Sequence, residues 1–113
     1  MTRIDNIARE MGFMVKRTSE SEAAYYLVDA KGFDVKNAKG EALCVEIGTV
    51  PERYPIWWVS SSVRVGMTWE MKYNPCHRWD GHRMVWAEGW KLSATPENFR
   101  RILEEVKQRF LNN

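Results

Sequence analysis

The sequence predicts an α+β fold in two layers: an antiparallel sheet of about five or six strands in meander order, with N- and C-terminal helices packed on one face. Three observations lead there. Each end of the chain carries an amphipathic helical pattern, the middle carries alternating or β-branched apolar runs, and Gly, Pro and Asn turn signals separate those runs. Antiparallel strands of this kind need only one covered face, and two terminal helices can cover it. The 113 residues suit one domain over 1–113.

The first helix is expected over about 2–12, because Ile4, Ile7, Ala8 and Met11 recur at intervals that place them on one side. Thr2 can cap it, Asp5 follows at a capping-box spacing, and Gly12 is a fitting stop. "FMV", Phe13 to Val15, and the polar run "KRTSESE" read as a connection. Strands are expected over about 23–29, 33–36, 42–48, 55–60, 63–73 and 83–92. "AAYYLVD" is aromatic and β-branched, and "ALCVEIG" is apolar on both faces for most of its length, which suits a central position. From Val63 to Tyr73 every odd position is apolar and every even one is small or polar, so the period is two without a break. The closing helix, about 96–111, has Thr95 as cap, Pro96 at its first position, and Phe99, Ile102, Leu103, Val106 and Phe110 as its apolar stripe.

Charge and cysteine usage narrow the class. The net charge of +2 arises from 17 basic and 15 acidic residues interleaved along the chain, far from the strongly basic signature of a nucleic-acid binder. Cys44 and Cys76 are too few for a disulfide framework, and no apolar run has the length of a signal-peptide core or a membrane span. A cytoplasmic protein with free thiols and no membrane association is the expectation. Six tryptophans are several times the usual share, which points to a bulky core or a binding surface.

The densest chemistry lies in "NPCHRWDGHRMVWAEGW", Asn74 to Trp90. Cys76, His77, Asp80 and His82 are metal-ligand types, but their spacing matches no paired zinc pattern, so they read as turn residues. No nucleophile has a recognisable base and orienting group, Ser60 to Ser62 read as a turn, and no glycine-rich phosphate loop is present. Neither a catalytic residue, a metal nor a cofactor is assigned. Strand parity draws attention to Glu88, which falls on the core face between Trp86 and Trp90 if 63–73 and 83–92 form a hairpin.

Binding through the open sheet face is the more economical expectation. Arg64, Gly66, Thr68, Glu70 and Lys72 on one strand, with Val85, Ala87, Gly89 and Lys91 on the next, would line that face. A turn at Ser61–Ser62 would put Trp58 inside and leave Trp57 outside as an anchor. The candidate binding residues are Trp57, Arg64, Thr68, Glu70, Lys72, Glu88 and Lys91. They suggest a small interaction module that binds a protein partner or itself and performs no catalysis. Single-stranded nucleic acid on the sheet surface is the alternative, and a small-molecule pocket or enzyme centred on Glu88 is the second.

Overall fold

The computed structural model describes residues 2–49, 56–73, 77–79, 81–82, 84–86 and 93–113. Helix α1 spans Thr2–Glu10 and helix α2 spans Pro96–Leu111. Between them lie β1 (Phe13–Arg17), β2 (Glu22–Leu27), β3 (Ala42–Thr49), β4 (Trp57–Val65), β5 (Thr68–Met71), β6 (His77–Trp79) and β7 (Met84–Trp86). The first five form one antiparallel meander in the order β1-β2-β3-β4-β5, and β6 pairs with β7 as a separate hairpin. This is the predicted two-layer α+β arrangement.

Both helices cover the same sheet face. Ile4 and Ala8 of α1 and the complete predicted stripe of α2 join Phe13, Ala23, Tyr25, Leu27, Leu43, Val45, Ile47, Trp57, Val59 and Val63 in one buried cluster. Aromatic rings knit the centre: Phe99 packs edge-on to Tyr25 at 5.3 Å and tilted against Trp57 at 5.5 Å. Helix α2 starts as expected, with the Thr95 hydroxyl accepting from the Asn98 N–H at 3.2 Å. The ammonium of Lys107 donates to the Met11 carbonyl at 2.7 Å, where α1 ends and its carbonyls lack helical partners.

Several expected boundaries are corrected. "FMVKR" is a strand, and its polar half was hidden because Arg17 belongs to the inner face beside α1. There Arg17 holds Asp5 through two hydrogen bonds, Nε to Oδ2 at 2.8 Å and NH2 to Oδ1 at 2.5 Å, so this carboxylate serves the ion pair instead of the expected capping box. Burial pushes the Asp5 carboxyl up, but the Arg17 bonds and charge outweigh it and hold the group below its ordinary value. The strand expected over 33–36 reduces to a single bridge, Val28 to Asp34, because Asp29 turns the chain by accepting from the Lys31 and Phe33 N–H groups.

The largest correction concerns 55–73. No turn occurs at Ser61–Ser62, where β4 runs straight through; the reversal is at Gly66–Met67, between Val65 and its partner Thr68. Gly66 has φ 66° in the first of the two turn positions, the place that a type II′ hairpin reserves for glycine, and serine supplies no such freedom. The odd-numbered apolar series is thereby divided between two strands. Since Val63 pairs with Glu70 and Arg64 with Trp69, Val63 stays in the core, while Trp69 and Met71 pass to the opposite face.

Candidate functional site

The sheet face away from the helices is built from alternate residues of all five strands. One row across it reads Met14, Tyr26, Cys44, Ser62, Met71, and a second reads Lys16, Ala24, Glu46, Ser60. Beyond these, Gly48 pairs with Trp58 at one end and Ala42 with Arg64 and Trp69 at the other. Small side chains form the floor, and three aromatic residues stand on it: Trp58, Tyr26 and Trp69.

Each ring is held by a specific contact. Trp58 seats closely on β3 because Gly48 has no Cβ; a Cβ there would come within 2.6 Å of the indole ring. Tyr26 and Trp69 meet edge to face at 6.4 Å. The Arg64 guanidinium sits 5.4 Å from the Trp69 ring centroid and is also paired with Asp34, which fixes the indole from the far side. Two shallow pockets open between the rings. One of about 210 Å³ lies between Trp58 and Tyr26, one of about 180 Å³ between Tyr26 and Trp69, and both are lined by Tyr26 and Glu46.

Cys44 sits under the second pocket and is nearly covered. Burial pushes its thiol up to about 11, so it stays protonated at neutral pH and is a poor nucleophile. Among the described residues no group of three or more His, Cys, Asp or Glu is placed to hold a metal ion, and no helix is long and apolar enough to cross a membrane. Cys76 and Asp80 lie outside the described residues.

The expected binding residues do not assemble into one surface. Trp57 is overturned as an exposed anchor: it is 2% exposed, and its indole N–H donates to the Thr95 carbonyl at 3.1 Å, because a straight β4 puts 57, 59, 61 and 63 inside. Arg64 does lie on the open face. Thr68 and Glu70 follow the other parity and line a hollow with Val63 and Val65 on the helix side of the sheet. Lys72 also leaves the open face, since its ammonium reaches Glu41 at 3.0 Å. Glu88 and Lys91 lie outside the described residues, so their expected roles are carried no further.

Glu41 is not singled out by the sequence, yet it anchors a buried polar network. Its side chain is 5% exposed and accepts from Asn37 at 2.8 Å, from the Tyr73 hydroxyl at 2.6 Å and from Lys72. Asn37 also donates to the Phe110 carbonyl at 3.1 Å, so the network ties the β2–β3 loop and the exit from β5 to the end of α2. The hydrogen bonds from Asn37 and Tyr73, with the Lys72 charge, lower the Glu41 carboxyl to about 2. Tyr73 has φ 56°, a strained conformation for a bulky residue. It turns the ring back under the sheet onto Phe110, at 6.1 Å. A lone Glu between Gly40 and an apolar strand gave no periodic signal; only the meeting of residues 37, 41 and 73 identifies it.

Comparison with protein-family models, with curated proteins and with solved structures finds no match to the chain.

Proposed function

We propose that the chain is an interaction module whose open sheet face receives a protein partner, without catalysis. One observation supports the reading above the others: Trp58, Tyr26 and Trp69 share one face over a small-residue floor, with Met14 and Met71 exposed at 49% and 58% on the two flanks. Rigid aromatics beside shallow pockets are the usual anchors of protein recognition, and an apolar strip of this extent is rarely left open without use. The edge strand β5 carries Trp69 and Met71, so a partner that adds a strand there would meet the same rings.

Charge speaks against nucleic acid as the ligand. The open face carries Lys16 and Arg64 against Glu22 and Glu46, and Arg64 is already engaged by Asp34 and Trp69. The covered, unpaired thiol of Cys44 fits a reducing cytoplasm. Selection of displayed peptides on the immobilised chain, with Trp69→Ser as counter-target, tests the reading. Peptides that lose at least about tenfold in affinity on the variant are expected, the effect of removing one aromatic anchor. Enrichment that ignores Trp69→Ser defeats the proposal, and single-stranded DNA or RNA affinity that falls steeply with salt would replace it by the nucleic-acid reading.

A further inference from the structure

Within the open face, Glu46 differs from every other charged residue in its setting. It projects from β3, the middle strand, and is flanked on the diagonals by Tyr26 of β2 and Trp58 of β4. Its carboxylate makes no hydrogen bond or ion pair among the described residues, whereas Glu41 and Asp5 are each fully engaged. Glu22 lines the same pocket, its carboxylate accepting from the Thr18 hydroxyl at 3.4 Å. Lys16 stands at the rim, exposed, and forms no ion pair with either acid among the described residues. Two carboxylates against one ammonium leave the pocket net negative.

The pocket also has built walls. Gly48 lets the Trp58 indole approach the strand closely, the Trp58 and Tyr26 rings both line the pocket, and Ala24 leaves the floor low. A glycine inside a central strand weakens the sheet and calls for a local reason, and the close seat of Trp58 supplies it. Aromatic faces attract cations, and a free carboxylate between them adds direct charge complementarity. Neither feature favours an anion, and a purely apolar guest would leave Glu46 desolvated without a partner.

We infer that this pocket receives a basic side chain, an arginine or lysine, presented by the protein partner. The inference rests on the open face being the docking surface, and it specifies the partner's chemistry there. Blocked arginine amide and its neutral isostere, blocked citrulline amide, are suitable probes, read by NMR at the Trp58 indole N–H and the Ala24 and Glu46 amides. The arginine probe should shift these signals saturably, with citrulline binding roughly fivefold or more weakly, the factor expected from losing an exposed cation–π contact and an ion pair. Glu46→Gln should remove that preference and leave the fold intact, since the side chain makes no hydrogen bond or ion pair among the described residues. Equal binding of the two probes, absence of a saturable shift, or a preference that survives Glu46→Gln would overturn the inference. Selected peptides separate this failure from failure of the docking face: if they depend on Trp69 but lack basic residues and ignore Glu46→Gln, the face stands and the cation pocket falls.

Discussion

Trp57 and Trp58 are neighbours in β4, yet they have opposite duties. Trp57 is sealed against Phe99 with its N–H bonded to Thr95, and Trp58 lies on the open face across Gly48. The same division runs through the whole sheet. On the helix side, apolar side chains interlock with two helices and the two buried carboxylates are paired, Asp5 with Arg17 and Glu41 with Asn37, Tyr73 and Lys72. On the other side, aromatic rings stand over a floor of small residues, and Glu46 makes no hydrogen bond or ion pair among the described residues. One face spends its side chains on stability and the other leaves them available for contact.

Substitutions can break this contrast, and the largest effect belongs to the inner tryptophan. Trp57→Ala should cost about 3–5 kcal/mol in chemical denaturation, because it opens a cavity against Phe99 and removes a buried hydrogen bond. Trp58→Ala should cost far less. Equal losses would show that the two faces are not energetically distinct.

Glu41→Gln comes next, at about 1–3 kcal/mol, since it removes the charge from several hydrogen bonds and leaves Lys72 without its partner. The pH dependence has a definite sign. A carboxyl lowered from 4.5 to about 2 in the folded chain contributes its stability fully above the ordinary value and loses it as pH falls from there toward 2. The acid limb of a stability profile should therefore flatten in Glu41→Gln, and an unchanged limb would mean that the network contributes little.

Gly66→Ala should cost about 1 kcal/mol through its φ of 66° and loosen the β4–β5 reversal that delivers Trp69 to the open face. Faster amide exchange at Val65 and Thr68 would register it. The smallest effect has the opposite sign. Ser61 is fully buried among the core side chains of β4 and its hydroxyl has no hydrogen-bond partner among the described residues, so Ser61→Ala should stabilise by about 0.5–1 kcal/mol. A loss of stability there would point to a role for that hydroxyl.

Much of the architecture was legible from periodicity. The α2 stripe, its Thr95–Pro96 start and the central β3 all follow from short-range patterns that report burial directly. The candidate site was less legible, for a reason visible at Val63 to Tyr73. Alternation says that two faces differ, but a two-residue turn at Gly66 exchanges them, and the apolar letters continue across it unchanged. Arg64 is placed on the open face correctly, while an unbroken strand over 63–73 puts Thr68, Glu70 and Lys72 on the wrong side and an assumed turn at Ser61–Ser62 does the same to Trp57.

The sequence by itself determined the two helices, the antiparallel class and the identity of most core residues, because local spacing dictates which side chains share a face. Tertiary pairing sets which face each half of the 57–71 segment presents, that Glu41 joins Asn37 and Tyr73, and that Trp58, Tyr26 and Trp69 share a face with Glu46. Those outcomes depend on strand register across three turns, and register is set by long-range pairing and packing that no local period records.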